Sequence, residues 1–338
     1  MLTDKAVLIT GGTGSFGRAF VQTVLERYQP KKIIVYSRDE LKQFEMQQVH
    51  PFISGGPMRY FIGDIRDRER LRRAMHGVDV VVHAAALKQV VAAEYNPFEV
   101  IKTNVIGSQN VIDAAIDTGV QKVVALSTDK AASPINLYGA TKLCSDKLFI
   151  SANNHTGLNP TNFSVVRYGN VLGSRGSVVP VFKGQCNRAG IISITDERMT
   201  RFSITIQEGV NFVLRCLEQM WGGELFVPKI PSYRIGDLAK AVAPDVPIQY
   251  IGIRPGEKLH EEMITATDSF STLEFREKYV ICPPEPTKWL TKDFQENSDP
   301  LGKGKKVVEG FSYISGANQK FLSVPELRML IDKDLPVH

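Results

Sequence analysis

The chain has 338 residues, of which 43% are hydrophobic, and its 41 Lys and Arg against 36 Asp and Glu give a formal net charge of +5. This composition supports a large globular core. The mild positive excess is not gathered into the basic cluster that nucleic-acid binders carry, so we expect no nucleic acid as a partner. The longest apolar run, VDVVVHAAAL, is too short to span a bilayer, and the N-terminus lacks the pattern of a signal peptide. We therefore expect a cytoplasmic protein with no membrane partner.

The cysteines and histidines show no pattern of metal ligands. The four cysteines, Cys144, Cys186, Cys216 and Cys282, include no C-x-x-C pair and no accompanying histidine cluster. A disulfide framework is also unusual in a chain of this length. We therefore predict no metal site.

The first half of the chain alternates short apolar runs with amphipathic segments. The apolar runs are rich in Val and Ile and predict strands at 6–10, 32–37, 58–63, 78–86, 122–128 and 163–169. Helices are predicted between them at 15–28, 40–49, 67–76, 97–118 and 136–153, and Asn96-Pro97 supplies a start signal for the fourth. Strands that are apolar at consecutive positions are typical of a parallel sheet covered on both faces. The alternation predicts an α/β fold with a doubly wound, Rossmann-like parallel sheet.

The pattern changes near residue 170. Gly, Ser, Arg and Pro become frequent in GNVLGSRGSVVP, and the later elements are shorter and mixed. We predict that residues 1–170 form a dinucleotide-binding domain. Residues 171–338 are then mainly a smaller, mixed α/β substrate lobe, from which some segments return to the main sheet.

A glycine-rich turn follows the first predicted strand and opens the first helix. Gly11, Gly14 and Gly17 form the pattern G-x-x-G-x-x-G. Glycine lets the backbone turn tightly and approach a pyrophosphate, while the helix N-terminus offers free N–H groups and the positive end of its dipole. A tight turn without a ligand would also use these glycines, but the strand-turn-helix context favours a dinucleotide site.

The end of the second strand bears on the choice between NAD and NADP. NAD-binding domains usually place an acidic side chain there for the ribose hydroxyls. This chain has Ser37 and Arg38, with Lys42 one helical turn further on, and two cations with a hydroxyl suit a 2′-phosphate. Asp39 and Glu40 weigh against this, because either could bind a ribose hydroxyl, and the whole segment could simply cap the next helix. We predict NADP.

Several residues with chemical roles lie together at 127–142. Tyr138 and Lys142 form a Y-x-x-x-K pair on one helix face. A neighbouring ammonium group favours the phenolate and lowers the pKa of a Tyr from about 10 toward neutrality. Such a Tyr can take the proton of a sugar hydroxyl while hydride leaves for a nicotinamide, and Thr128 can hydrogen-bond the same oxygen. Asp129 and Lys130 are, on the residues alone, either an exposed turn or two catalytic proton carriers.

These motifs together resemble the extended short-chain dehydrogenases/reductases. The likeness is carried by TGGTGSFG, HAAALK, TNVIGSQNV, STDK and YGATK. A closer likeness, strongest over residues 1–280, is to the inverting UDP-N-acetylglucosamine 4,6-dehydratases of pseudaminic acid biosynthesis. It rests on STDKAASPINLYGATKLCSDKLF, VVRYGNVLGSRGSVVP, TDERMTRFSIT and IGIRPGEKLHE, whereas the tail FSYISGANQKFL follows the family less closely.

The resemblance implies a reaction in three parts. Carbon 4 of the sugar is oxidised by NADP, water leaves across carbons 5 and 6, and the stored hydride returns to carbon 6. The cofactor is regenerated in each turnover, and the product is a 4-keto-6-deoxy sugar with the L-arabino configuration. UDP-N-acetylglucosamine is the implied substrate, and a homo-oligomer the implied assembly.

Roles for the five central residues follow from this resemblance and from their chemistry. Tyr138 deprotonates the 4-hydroxyl, Thr128 hydrogen-bonds it, and Lys142 lowers the pKa of Tyr138 and binds the nicotinamide ribose. Lys130 is the base for carbon 5 and Asp129 the acid for the 6-hydroxyl. Retaining dehydratases typically have Asp-Glu here, so a Lys in place of the Glu favours inversion. A free Lys has a pKa of about 10.4, and we expect the cationic nicotinamide and Lys142 to lower that of Lys130.

The resemblance also assigns cofactor and substrate contacts. The cofactor set is Gly11, Thr13, Gly14, Ser15, Phe16, Gly17, Ser37, Arg38, Lys42, Asp64, Ile65, Ala84, Ala85, Ala86, Tyr138 and Lys142. The substrate set is Lys88, Asn170, Arg175, Ser177, Thr195, Arg201 and Arg254. Arg suits a diphosphate, although the residues alone favour a surface ion pair for each Arg. Asp64 fits a strand-end turn equally well.

Three alternatives stay open. A retaining dehydratase can share Asp129 and Lys130, although such relatives often carry Met in place of Tyr138. A nucleotide-sugar 4-epimerase or ketoreductase would need Thr128, Tyr138 and Lys142 alone. An NADP-binding regulatory protein would need none of these, and relatives without activity usually lose one of the three.

Overall fold

The computed structural model describes residues 1–157, 161–174, 176–283 and 302–334. Its strands, in chain order, are β1 (Ala6–Thr10), β2 (Lys32–Ser37), β3 (Met58–Ile62), β4 (Val80–His83), β5 (Lys122–Thr128), β6 (Asn162–Tyr168), β7 (Asn170–Val171), β8 (Ile192–Ile194), β9 (Thr200–Ile204), β10 (Leu225–Pro228), β11 (Ser232–Arg234), β12 (Ile248–Tyr250), β13 (Glu262–Ile264), β14 (Thr272–Glu274), β15 (Lys278–Ile281), β16 (Lys305–Lys306) and β17 (Tyr313–Ile314). Its α-helices are α1 (Ser15–Arg27), α2 (Glu40–Val49), α3 (Arg68–Met75), α4 (Val90–Tyr95), α5 (Pro97–Ile101), α6 (Gly107–Thr118), α7 (Leu137–Ala152), α8 (Val178–Ala189), α9 (Ile206–Gln219), α10 (Ile235–Val242) and α11 (Val324–Asp334).

Ten of the described strands form one sheet, in the order β16-β14-β15-β10-β6-β5-β4-β1-β2-β3. In this order, the seven strands β10, β6, β5, β4, β1, β2 and β3 are parallel to one another. The other three, β15, β14 and β16, are each antiparallel to their neighbours. Every residue of β1 is buried, and Leu8 pairs with Ile34 on one side and Val81 on the other. A strand covered on both faces must be apolar at consecutive positions, which explains the runs in the sequence. The predicted doubly wound parallel sheet is confirmed.

Helices cover both faces of this sheet. Ile9 of β1 belongs to a buried cluster with Phe20 of α1 and Val213 of α9, whereas its neighbour Leu8 belongs to a second cluster with Val111 of α6. Full burial of one such side chain contributes about 1.5–3 kcal/mol. The alternation of β1 between two apolar clusters fixes the register of the central strand and the position of the turn that follows it.

The region predicted as one helix over 97–118 is instead interrupted. It contains α5, a π-helical segment (Lys102–Ile106) and α6, and the short helix α4 precedes it. The side-chain amide of Asn104 accepts from the backbone N–H of Leu87 and donates to the Leu87 carbonyl, both at 2.9 Å, so the helix widens where it is tied to the loop after β4. α5 begins at Pro97 as predicted, but the side chain of Asn96 donates to the carbonyl of Ala92 and does not cap the helix.

The second half of the chain builds smaller sheets and also returns to the main one. β7, β9 and β11 form a three-stranded sheet, while β8 pairs with β12 and β13 with β17. A separate apolar cluster joins α8, α10 and α11 through residues such as Phe182, Leu238 and Leu327. β10, β14, β15 and β16 extend the main sheet. The division of the chain at residue 170 stays a prediction.

Candidate active site

A cleft of about 660 Å³ lies at the carboxyl ends of the parallel strands. Strand order reverses between β1 and β4, and ligands of doubly wound sheets bind at such a reversal. Every residue that the sequence assigns to the cofactor lines this cleft, namely Gly11, Thr13, Gly14, Ser15, Phe16, Gly17, Ser37, Arg38, Lys42, Asp64, Ile65, Ala84, Ala85, Ala86, Tyr138 and Lys142. The topology therefore brings the predicted set together.

The glycine-rich turn fits a dinucleotide. Gly11 has a φ of +66°, and a Cβ there would lie 2.9 Å from the backbone of Ala85. Both the left-handed backbone conformation and the lack of space therefore exclude a side chain at this position. A Cβ on Gly17 would collide with the backbone of Gly12. Gly14 is the N-cap of α1 and has no side chain to cap it, which leaves the first-turn N–H groups facing the cleft for an anion.

The end of β2 places two cations beside the same cleft. Ser37 Oγ lies 2.8 Å from Thr13 Oγ1, and Arg38, with 52% of its side chain exposed, lies 3.4 Å from Asp64 Oδ2. Asp39 accepts from the backbone N–H of Lys42 at 3.0 Å and pairs with the Lys42 ammonium group at 2.5 Å. The capping role that the sequence left open for this segment therefore belongs to Asp39.

Four of the five central residues, Thr128, Lys130, Tyr138 and Lys142, line one edge of the cleft, and Asp129 is buried beside them. Thr128 ends β5, and Asp129 begins a 3₁₀ turn over Asp129–Ala131. Asp129 Oδ1 accepts from Thr128 Oγ1 at 2.9 Å and from Lys130 Nζ at 3.0 Å. Tyr138, on the first turn of α7, hydrogen-bonds Thr128, and Lys142 Nζ donates to the Leu126 carbonyl at 2.7 Å. Asp129 is fully buried, and its Oδ2 has no hydrogen-bond partner among the described residues.

The pKa of Tyr138 differs from the sequence expectation. Burial raises it to about 12, against the lowering effects of Lys130 and of the hydrogen bond with Thr128. Lys142 is buried, which lowers the pKa of its own ammonium group against the effect of Asp146. The expected fall of the Tyr138 pKa toward neutrality is therefore wrong for the chain by itself, because desolvation of the phenolate outweighs the nearby cations.

The pKa of Lys130 is likewise raised in the chain by itself, and the fall expected beside a cationic nicotinamide stays a prediction. Burial disfavours its charged form, but the carboxylates of Asp129 and Glu261 outweigh burial and stabilise the ammonium group. Burial also raises the pKa of Asp129, against the effect of Lys130. The chain thus holds Lys130 as a cation between two buried carboxylates.

Glu261 is a site residue that the sequence analysis did not select. Its Oε1 lies 3.1 Å from Lys130 Nζ and 3.6 Å from Arg201 Nε, and only 3% of the residue is exposed. It is the last residue of IGIRPGEKLHE, from which the sequence analysis took Arg254 alone. The sequence did contain a signal for Glu261, because this carboxylate lies in the same motif as Arg254, a predicted substrate contact.

The substrate candidates divide between two cavities. Lys88, Asn170 and Ser177 line the large cleft. Arg201 and Arg254 line an adjacent cavity of about 170 Å³, and Lys130 and Asn170 line both.

One further candidate, Thr195, lies elsewhere. Thr195 is not among the residues that line either cavity, and its hydroxyl donates to Met199 Sδ at 2.9 Å. Arg175 lies outside the described residues.

Two other kinds of site are not found in the described part of the chain. No three His, Cys, Asp or Glu side chains gather there as metal ligands. No helix there is both long enough and apolar enough to cross a bilayer.

The fold and the cleft define a dinucleotide-binding α/β protein of the extended short-chain dehydrogenase/reductase type. The chain belongs to the polysaccharide biosynthesis protein family, whose profile matches residues 7–283. It is 57% identical, over 98% of both chains, to the inverting UDP-N-acetylglucosamine 4,6-dehydratase of Campylobacter jejuni. It is 42% identical to the UDP-glucose 4-epimerase of Rickettsia canadensis, over 98% of this chain and 96% of the relative. The X-ray structure of Pen from Bacillus thuringiensis superposes with a TM-score of 0.87 and 38% identity, over 98% of each chain.

Proposed function

We propose that the protein is a UDP-N-acetylglucosamine 4,6-dehydratase that uses NADP and inverts carbon 5. The observation that carries this proposal is the Asp129–Lys130 ion pair beside Thr128 and Tyr138, in which Lys130 lines both cavities and Asp129 is buried next to it. Oxidation of a hydroxyl needs Thr128, Tyr138 and Lys142 alone, so the additional acid and amine point to a second proton transfer. The relative from Campylobacter jejuni bears the name of this activity.

Each proton transfer of this reaction has a residue of the chain near it. Tyr138 takes the proton of the 4-hydroxyl. The glycine-rich turn would hold the pyrophosphate of the dinucleotide, whose nicotinamide would accept the hydride from carbon 4 and later donate it to carbon 6. Lys130 takes the carbon 5 proton, which the 4-ketone makes acidic. Asp129 protonates the 6-hydroxyl, which leaves as water. The proton on Tyr138 then returns through solvent to Asp129, so turnover closes without net oxidation.

Inversion follows from where the carbon 5 proton returns. A water on the face of carbon 5 opposite Lys130 delivers the new proton while the Lys130 ammonium group passes its own to solvent, or the ammonium group delivers it once the sugar has turned that opposite face toward Lys130. This gives the L-arabino keto sugar. Lys130 supports this outcome because an amine takes the place that a Glu has in typical retaining relatives.

The assigned roles need Asp129 protonated and Lys130 neutral. The two side chains form an ion pair with 3.0 Å between Nζ and Oδ1, so movement of one proton along that contact gives the required state. Burial opposes the charged pair, and the two groups titrate as a unit. The raised pKa of Asp129 favours the acid role, and the raised pKa of Lys130 keeps its amine protonated until that proton moves.

The diphosphate of the substrate would lie against the cations of the smaller cavity. Arg201 and Arg254 line it. A guanidinium group can bind two oxygens of a phosphate at once. Asn170 and Lys88 would then face the sugar, since both line the large cleft near Tyr138. Ser177, at the N-terminus of α8, completes the polar lining.

The choice of NADP rests on the end of β2. Ser37 stands where NAD-binding domains carry an acid, and the exposed guanidinium group of Arg38 can turn from Asp64 to a 2′-phosphate. Of the two acids that weighed against NADP, Asp39 caps α2 and Glu40 is not among the residues that line the cleft. These contacts favour a phosphate over a free hydroxyl at this point.

Arg38→Ala is expected to weaken NADP binding by about 10–100-fold and NAD binding little. A hydrogen bond to a charged group is worth about 1.5–3 kcal/mol, and each 1.4 kcal/mol is about tenfold in affinity. Calorimetric titration with each cofactor measures this, with Arg73→Ala, an exposed change on α3, as the matched control. Tighter binding of NAD than of NADP by the unaltered chain would overturn the NADP proposal.

Incubation with UDP-N-acetylglucosamine and NADP in deuterated water tests the function. We expect a 4-keto-6-deoxy sugar without net cofactor reduction, with solvent deuterium at carbon 5 and the L-arabino configuration by NMR. A D-xylo product would disprove inversion, and unchanged substrate would disprove the dehydratase.

The second candidate is a nucleotide-sugar 4-epimerase, favoured by the name of the Rickettsia canadensis relative. An epimerase would return hydride to carbon 4 and keep oxygen on carbon 6, so the same incubation separates the two. The homo-oligomer, the cytoplasmic location and the place in pseudaminic acid biosynthesis stay predictions.

A further inference from the structure

Glu261 contacts Lys130 from a part of the chain far from the 127–142 segment. Its Oε1 is 3.1 Å from Lys130 Nζ, and Asp129 Oδ1 is 3.0 Å from the same nitrogen. Glu261 Oε2 is buried without a hydrogen-bond partner among the described residues. Burial raises the pKa of this carboxyl, but Lys130 and Arg201 outweigh burial and lower it, so Glu261 stays ionised beside Lys130.

The C-terminal segment holds the backbone of Glu261. The Glu261 N–H donates to Ser315 Oγ at 2.9 Å, and the Ser315 N–H donates to the Glu261 carbonyl at 2.8 Å. Ser315 is fully buried, and its Oγ also lies 2.7 Å from Thr200 Oγ1. The next residue, Glu262, begins β13 and pairs with Ile314 of β17. This double anchor fixes the point from which the Glu261 side chain reaches Lys130.

We propose that Glu261, anchored by Ser315 of the C-terminal segment, is a positioning residue that fixes the orientation and the charge of Lys130. The inference rests on the proposed function, because it concerns the base of that reaction. It also gives a definite part in the site to the segment FSYISGANQKFL, which lies beyond the residues that the family profile matches.

The charge surroundings of Lys130 single out Glu261. The ionisable groups that face it come from its own turn, from α7, from β9, from β11 and from the segment before β13, and they are Asp129, Tyr138, Arg201, Tyr233, Lys258 and Glu261. Asp129 must itself gain a proton when the acid–base pair becomes active. Glu261 is then the carboxylate whose charge persists beside Lys130 and favours its protonated form. Arg201 Nε lies 3.6 Å from Glu261 Oε1, and its positive charge limits how far Glu261 raises the pKa of Lys130.

Glu261→Gln removes this charge while keeping the size and hydrogen-bonding capacity of the side chain. Because an opposite charge within about 4–6 Å stabilises an ammonium group by one to three pKa units, we expect the pKa of Lys130 to fall by about one unit or more. NMR of the full chain with isotope-labelled lysine measures this without substrate, with Lys130→Arg used to assign the signal. Glu261→Asp, which keeps the charge, should restore most of the original titration.

Glu262→Gln is the matched control, because the neighbouring carboxylate instead accepts from Ser133 Oγ at 2.8 Å. It should leave the Lys130 signal unchanged. In Glu261→Gln, the pH of fastest elimination from UDP-N-acetylglucosamine should also move down by about one unit or more. Oxidation at carbon 4 should keep its pH dependence.

The outcomes separate this inference from the function itself. A folded Glu261→Gln chain with an unchanged Lys130 titration overturns the inference, even if elimination is lost. If that variant does not fold, Ser315→Ala decides, since loosening the anchor should shift the Lys130 signal the same way and no shift overturns the inference. An unaltered chain that does not convert UDP-N-acetylglucosamine refutes the proposed function, while the substrate-free titration still tests Glu261.

Discussion

Lys130→Arg is expected to lower elimination of water by about 10²–10⁴-fold, the usual contribution of a general base, while oxidation at carbon 4 continues. Arginine keeps a cation beside Asp129 and Glu261, so the buried carboxylates retain a partner. It cannot give up its proton in a protein, so it cannot act as the base. Reduced cofactor should therefore accumulate in a single turnover, followed by absorbance, while NMR shows little loss of the carbon 6 oxygen and little deuterium at carbon 5.

The choice of substituent decides what this experiment can show. Lys130→Ala would leave two buried carboxylates without their cation, a loss of about 3–5 kcal/mol for a broken buried pair, and could fail through folding alone. Lys147→Arg, an exposed change on α7, controls for the substitution itself. Equal loss of oxidation and elimination in Lys130→Arg, or full retention of both, would contradict the assigned role.

Tyr138→Phe is expected to stop the reaction one step earlier, with oxidation at carbon 4 reduced by about 10²–10⁴-fold. The ring stays packed with Ala93 and Val100, so the change removes little more than the hydroxyl that hydrogen-bonds Thr128. Neither reduced cofactor nor deuterium at carbon 5 should then appear. Far-ultraviolet circular dichroism should match that of the unaltered chain.

The pKa of Tyr138 also predicts the direction in which the oxidation rate changes with pH. At a pKa of about 12 the hydroxyl is protonated at neutral pH, and the phenolate fraction rises about tenfold for each pH unit below that value. The oxidation rate of the unaltered chain should therefore rise with pH, and that of Tyr138→Phe should be flat. Tyr95→Phe, on the exposed surface of α4, should behave like the unaltered chain. A pH-dependent rate that survives in Tyr138→Phe would show that another group takes the proton.

The fold and the cleft were predictable because their signals are local. Each buried strand shows its apolar run, and the turn at Gly11 shows its glycines next to the strand that requires them. Thr128, Tyr138 and Lys142 lie within fifteen residues of one another. One strand end and one helix bring such residues together without any knowledge of the remaining chain.

The charge states were not predictable because their causes are distant in sequence or depend on burial. Lys130 owes its raised pKa partly to Glu261, which lies more than a hundred residues further along the chain. Tyr138 owes its raised pKa to burial, a property that a spacing of four residues does not contain. The π-helical segment contains Asn104, which is hydrogen-bonded to Leu87, a residue distant in sequence. Thr195 lies outside both cavities although it stands in a family motif.

The returning strands of the main sheet have a consequence for how the protein can be divided. β10 pairs with β6, and β15, β14 and β16 continue from it. A fragment that stopped at residue 170 would leave β6 as an open, apolar edge, which is a template for aggregation. The half that carries the glycine-rich turn is therefore completed by strands that follow it much later in the sequence. A chimera that exchanges the whole substrate lobe between relatives must therefore exchange these edge strands as well. The same part of the chain contains the predicted substrate contacts and the strands that cover the edge of the main sheet.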